Sequence, residues 1–246
     1  MRITTGRPLS LAPCVGLIVP PADGKVPPDA AELYGGRLRF IARGIGIPAV
    51  SPEGFDTVID VVLDCAEALR RDGAQVISLM GTSISFYRGP AYTDGLRQAM
   101  AQATGLPCTT MSHAIADALR ALGIRRVAVA TSYIDALNER LVTYLGATGF
   151  EVSAIRGLQL TGVAAMGQVS TRTLVDLATE VYRQDSSADG IFISCGGLLT
   201  LDAIRQLEDH LGVPVTASSP AGFWDVVRLG GWDARTPGCG RLFTMR

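Results

Sequence analysis

Short apolar runs alternate along the chain with longer stretches in which apolar residues recur every three or four positions. Residues 15–19, VGLIV, are continuously apolar and stop at Pro20-Pro21. Residues 74–80, the RRVAVA run ending at Ala130, residues 150–155, GIFIS and VPVTA have the same character. Runs of this length bounded by turn residues predict buried strands. Between them lie helical patterns. The longest, residues 51–73, has Ser51 as cap, Pro52 at the first helical position and Gly73 as terminator. Phe55, Val58, Ile59, Val62, Ala66 and Leu69 recur on one face of it. Further helices are expected over about 88–104, up to Leu122, 132–145, 171–182, 202–210 and 220–229. This βαβα rhythm predicts parallel sheets covered by helices.

The pattern also repeats. TGLPCTTMSHAIADALRALG (104–123) resembles LGVPVTASSPAGFWDVVRLGG (211–231): Gly-x-Pro-x-Thr recurs, a serine follows at Ser112 and Ser219, and a helix ends at glycine. Each copy comes soon after a strand that opens into small residues, Gly81-Thr82-Ser83 in one case and Cys195-Gly196-Gly197 in the other. The expected fold is therefore α/β, with two similar halves, parallel sheets and a site in the cleft between them. The expected division is 1–112 for the first half, completed by 218–246, and 113–217 for the second. Ligands of open α/β sheets bind outside the carboxyl ends of the strands. Small residues there let backbone N–H groups approach a ligand.

Composition narrows the function. The 246 residues are 48% hydrophobic with a net charge of −1 and no basic block, so nucleic acid and anionic membranes find no electrostatic footprint. The N-terminal stretch is broken by prolines and polar residues and reads as neither signal peptide nor membrane span; a cytoplasmic, monomeric protein acting on a small molecule is expected. The five cysteines, Cys14, Cys65, Cys108, Cys195 and Cys239, are scattered and form no C-x-x-C pair. No disulfide framework or zinc cluster is expected. Only His113 and His210 are present, which disfavours a histidine metal site. GIGIP (44–48) lacks the third glycine of a dinucleotide fingerprint and is broken by Pro48. No metal and no cofactor are expected.

The chemistry then falls to the strand-end turns. Cys195 precedes two glycines and an expected helix, where N–H groups favour negative charge. The other four cysteines read as small buried apolar residues. Thr82 and Ser83 offer hydroxyls at the matching turn, or else simply cap the next helix. Tyr133, three residues past VAVA, points a phenol into the same cleft or packs at a helix start. His113 flanks a helix start and His210 sits solvated near a helix end.

Taken together, GLIVPPADG, SPEGFD, SLMGTSISFYRG, GLPCTTMS, VAVATSYIDALNER, SCGGLLTLDAI and SSPAGFWD closely resemble the bacterial arylmalonate decarboxylase family, within the aspartate/glutamate racemase superfamily. The resemblance spans about Val15 to Leu242. It implies cofactor-free loss of one carboxylate from an α-aryl or alkenyl malonate and protonation of the resulting carbanion on one face. It implies Cys195 as the proton donor. Thr82, Ser83, Tyr133 and Gly196 are implied to hold the retained carboxylate. Pro20, Ile47, Val50, Phe55, Gly81, Ile84, Val163 and Met166 are implied as the substrate pocket. Two-cysteine racemases of the superfamily carry a second cysteine where this chain has Gly81. Phe55 stands where the decarboxylase pattern has tyrosine, and Ile47 and Ile84 replace leucines. The rival expectations are a racemase or cis-trans isomerase of the same superfamily, and a small-molecule binding protein without catalysis.

Overall fold

The computed structural model describes residues 12–47, 50–57 and 59–245. β1 (Cys14–Val19) leads through α1 (Asp29–Tyr34) to β2 (Arg39–Gly44). α2 (Pro52–Asp56) and α3 (Ile59–Arg71) precede β3 (Val76–Leu79), and α4 (Thr82–Phe86) and α5 (Pro90–Thr104) precede β4 (Cys108–Thr110). α6 (Met111–Ala121) comes next. It is followed by β5 (Arg126–Thr131), α7 (Asp135–Ala147), β6 (Glu151–Gly157), α8 (Val163–Met166), α9 (Thr171–Gln184) and β7 (Gly190–Ser194). α10 (Leu201–Leu211), β8 (Val215–Ala217), α11 (Ser218–Leu229) and a short 3-10 turn over Arg241–Thr244 complete the chain.

The strands form two wholly parallel sheets, β2-β1-β3-β4 and β6-β5-β7-β8. The second repeats the order of the first. β1, β3, β4, β7 and β8 are buried throughout because helices cover both sheet faces. In each sheet the chain first moves outward to the edge strand and then reverses across the starting strand. The reversal opens a crevice between β1 and β3, and another between β5 and β7, at their carboxyl ends. Those ends carry Pro20 and Gly81 on one side, and Tyr133 and Cys195 on the other.

α6 and α11 hold the two sheets together. They pack on each other, and α11 also touches β3, β4, β7 and β8. Every residue of α11 from Ser218 to Val227 is buried. Asp225 in this helix accepts from Thr109 Oγ1 at 2.6 Å, tying α11 to β4. Residues beyond α11 reach both halves. Tyr34 donates to the Ala234 carbonyl at 2.9 Å, and Arg37 to Thr236 Oγ1 at 2.7 Å. Glu208 accepts from the Arg241 backbone N–H at 2.9 Å.

Several elements differ from the sequence pattern. The helix expected over 51–73 is two helices. Ser51 caps the first, accepting from Gly54 N at 3.3 Å, and Gly73 ends the second with φ +92°. Thr57 ends α2, its hydroxyl folded back onto the Gly54 carbonyl at 2.8 Å. Asp56, held by Tyr87 and Arg88, and the fully buried Phe55 orient this short helix independently of α3. Val58 lies outside the described residues. β2 was not expected, because this edge strand, RFIARG, has only three apolar residues between arginines and is nowhere fully buried. α1, α4 and α8 are too short to show a helical period. α7 starts at Asp135 instead of Ser132, since Thr131 Oγ1 receives the Tyr133 N–H at 3.1 Å and keeps that turn extended.

The α11 anchor is testable. Burial pushes the Asp225 carboxyl above its ordinary range, and the Thr109 hydroxyl pulls it back. Thr109→Val leaves that carboxylate short of a donor and is expected to cost roughly 1–3 kcal/mol at pH 7 in urea unfolding. The cost is expected to shrink at acid pH, where Asp225 is protonated.

Candidate active site

The two crevices open into one cavity of about 350 Å³, a size suited to a small ligand. Pro20 and Ile47 line it just beyond β1 and β2, with Val50 before α2 and Phe55 within it. Gly81, Thr82, Ser83 and Ile84 line it at the end of β3, and Tyr133, Met166, Cys195 and Gly196 come from the second half. Every implied site residue is therefore at one cavity except Val163, whose side chain lies outside the described residues.

Each half contributes by the same local device. After β3 the chain turns at Gly81, which caps α4, so Thr82 and Ser83 occupy the first turn of that helix. Backbone N–H groups in a first helical turn have no partner within the helix. The Thr82 hydroxyl is buried and has no hydrogen-bond partner. Gly81 is tight: a Cβ there would meet Ile84 Cγ2 at 2.6 Å and Pro20 Cγ at 3.5 Å. After β7 the chain turns at Cys195 with φ +151°, a conformation that side-chain-bearing residues rarely adopt. Ser218 Oγ holds this turn by accepting from Cys195 N at 3.1 Å. A non-glycine residue held here marks a position where the side chain matters.

Cys195 is 6% exposed, and its Sγ lies 3.4 Å from Met166 Sδ. Burial pushes its thiol up. The Ser132 hydroxyl, the Gly197 N–H, the Tyr133 hydroxyl and the Leu198 N–H pull the other way without reversing the shift. The group is thus a neutral thiol near pH 7: α10 begins only at Leu201, so the N–H groups of Gly197 and Leu198 belong to a turn and not to the helix start expected from the sequence, and desolvation prevails. Tyr133 is 1% exposed, and burial, followed by the neighbouring Cys195, holds its phenol well above 10, so it stays a donor. Phe55 sits edge-on to Tyr87 with ring centroids 4.9 Å apart. Cys14, Cys65, Cys108 and Cys239 are also buried and free, each with its thiol raised by burial.

The sequence reading missed the wall formed by the loop after β1 and by α11. Lys25, Val26, Pro27, Pro28, Asp29 and Ser219 line the cavity there. Asp29 is 5% exposed, with Oδ2 buried and unpartnered, and the adjacent Ser219 hydroxyl is unpartnered as well. Burial raises the Asp29 carboxyl to about 6, Ser219 lowering it and Glu32 raising it further. An aspartate at the start of a helix is an ordinary cap signal, so PPDAAELY did not distinguish it. His113 instead binds Thr110 Oγ1 and Asp94 Oδ1, at 2.9 and 2.8 Å, and His210 is exposed. Among the described residues no group of three or more His, Cys, Asp or Glu could hold a metal ion, and no helix is long and apolar enough to cross a membrane.

A family model described as arylmalonate decarboxylase matches residues 15–243. The chain belongs to the arylmalonate decarboxylase family. It is 57% identical over 232 residues to the arylmalonate decarboxylase of Bordetella bronchiseptica, covering 94% of this chain and 96% of the relative. It is also 56% identical to a solved double mutant of arylmalonate decarboxylase in a liganded form, with a TM-score of 0.93 over 94% of this chain and 99% of that one. A more distant likeness is the maleate isomerase of Nocardia farcinica, 27% identical over 93% of this chain and 94% of the relative. The arylmalonate decarboxylase family is one of carboxy-lyases, and the chain is an enzyme of that class.

Asp29 offers a test of the cavity wall. A raised carboxyl is a burden on the fold when ionised. The burden is absent below about 3.8, the ordinary value, grows as pH rises, and is complete above about 6. Asp29→Asn removes it. The variant is expected to gain thermal stability over the parent at pH 8 and to lose that advantage at pH 4, as measured by scanning calorimetry.

Proposed function

We propose that this chain removes one carboxylate from an α-aryl or alkenyl malonate, without a cofactor, and returns a proton to one face of the carbanion. The observation that carries the reading is a single neutral thiol, Cys195, in a cavity that sets hydroxyl and N–H donors against apolar side chains. Loss of CO₂ moves the C–C electron pair into the retained carboxylate and forms an enediolate. Thr82, Ser83, Tyr133 and the Gly196 backbone are the donors for its oxygens. One donor of this kind is worth about 3 kcal/mol in other oxyanion sites. Pro20, Ile47, Val50, Ile84 and Met166 surround the departing carboxylate. Poor solvation of its charge is relieved when it leaves as neutral CO₂. Delocalisation into the aryl or alkenyl group takes the part of an electron-sink cofactor. Phe55 has no hydroxyl to offer the substrate, so its ring serves the aryl group by contact alone.

The proton then moves from Cys195 Sγ to the α-carbon, leaving a thiolate. A donor on one face gives one enantiomer. A racemase or isomerase working through two thiols needs a second sulfur, and the equivalent position of the first half is Gly81.

The test is CO₂ release from a panel of substituted malonates, followed by chiral analysis of the products. Cys195→Ala is expected to keep the fold and abolish nearly all turnover. Near-parental rates in that variant would move the proton donor elsewhere. Tyr133→Phe is expected to slow turnover roughly a hundredfold. Because the donor must be protonated and its thiol is raised above the ordinary 9.0, activity is expected to persist to pH 9 and fall only beyond it. Dialysis against a chelator is expected to leave the rate unchanged.

A further inference from the structure

After each turnover the enzyme as read above holds a buried thiolate at Cys195, and a buried anion needs donors. Thr131 pairs with Ser194 in the parallel register of β5 and β7, so Ser132 and Cys195 are the next two residues along the adjoining strand ends. Ser132 N donates to the Ser194 carbonyl at 3.4 Å, which holds the two turns side by side. Ser132 is wholly buried, and its hydroxyl has no hydrogen-bond partner. An uncommitted hydroxyl buried beside a neutral thiol costs free energy in the resting state. It is a donor without a task until charge appears on the sulfur.

We propose that Ser132 is a positioning residue whose hydroxyl donates to the Cys195 thiolate left after proton transfer, so that the sulfur has an anion site separate from the one that holds the substrate. The Gly197 and Leu198 N–H groups and the Tyr133 hydroxyl also pull this thiol down, and the Leu198 N–H donates to the Cys195 carbonyl at 3.4 Å. Tyr133 is shared with the substrate carboxylate; Ser132 is not among the cavity-lining residues and is left free for the thiolate. Its donor stabilises the thiolate and leaves the neutral thiol almost untouched, and so sets how readily the proton leaves and how the thiol is restored. The proposal rests on the decarboxylase reading only for the moment at which the thiolate forms. The other titratable groups around the cavity are Tyr133, Asp29 and the exposed Lys25–Asp23 pair.

The test reads the thiol itself, without substrate. The rate of Cys195 alkylation by iodoacetamide is followed against pH by peptide mass spectrometry, with circular dichroism confirming the fold of each variant. Ser132→Ala removes one oxygen and is expected to move the titration upward by about one pH unit, with alkylation near pH 8.5 about tenfold slower, as for loss of a hydrogen bond to a charged group. Ser132→Gly gives the same shift by a second route, and Ser132→Thr, which keeps the hydroxyl, is expected to retain the parental profile. An unchanged profile in folded Ser132→Ala and Ser132→Gly overturns the proposal. Absence of CO₂ release from arylmalonates by the parent overturns the decarboxylase reading instead, and the alkylation profile still decides the role of Ser132.

Discussion

The site depends on one helix being buried on every side. α11 cannot face solvent anywhere between Ser218 and Val227, so it must lie between the two sheets. Its packing against β4 and β8, with α6 beside it, fixes the separation of the strand ends that open into the cavity. The same helix supplies the Ser218 hydroxyl that holds the Cys195 turn and the Ser219 hydroxyl in the cavity wall. Few other elements touch both the scaffold and the chemistry so directly.

The two sheets are equal in order and unequal in equipment. The turn after β3 offers hydroxyls and free N–H groups on a helix that begins at glycine. The turn after β7 offers a thiol on a strained backbone. The shared strand order accounts for the common position at the mouth of each sheet. On the decarboxylase reading, the difference at that position gives the chemistry a direction, since both halves supply donors for charge and only the second supplies a thiol. Burial completes the arrangement by keeping both the thiol and the phenol protonated.

Much of this was legible in the sequence where the signal is local and strong. Fully buried strands such as GIFIS announce themselves as apolar runs, and Cys-Gly-Gly after one of them is conspicuous. The repeated Gly-x-Pro-x-Thr pattern pointed to two similar halves with parallel sheets; their common strand order is seen only in the folded chain. What remained hidden was either short or tertiary in origin. β2 carries arginines because it lies at a sheet edge, α4 has only five residues, and the break after Asp56 reflects contacts with Tyr87 and Arg88. Asp29 looks like a helix cap, and only the folded chain buries it in the cavity wall. Ser132 is silent in sequence because its meaning comes from the register between β5 and β7.

The backbone at Cys195 has a further consequence. A residue with a side chain held at φ +151° stores strain of about 1–3 kcal/mol that glycine would not. Random substitution selected only for thermal robustness would therefore tend to erase the cysteine and favour glycine at this turn. On the decarboxylase reading, the thiol persists against that drift only while its chemistry is under selection. Position 195 thus records an opposition between durability and activity, and a chain of this fold that has lost the reaction should betray it there first.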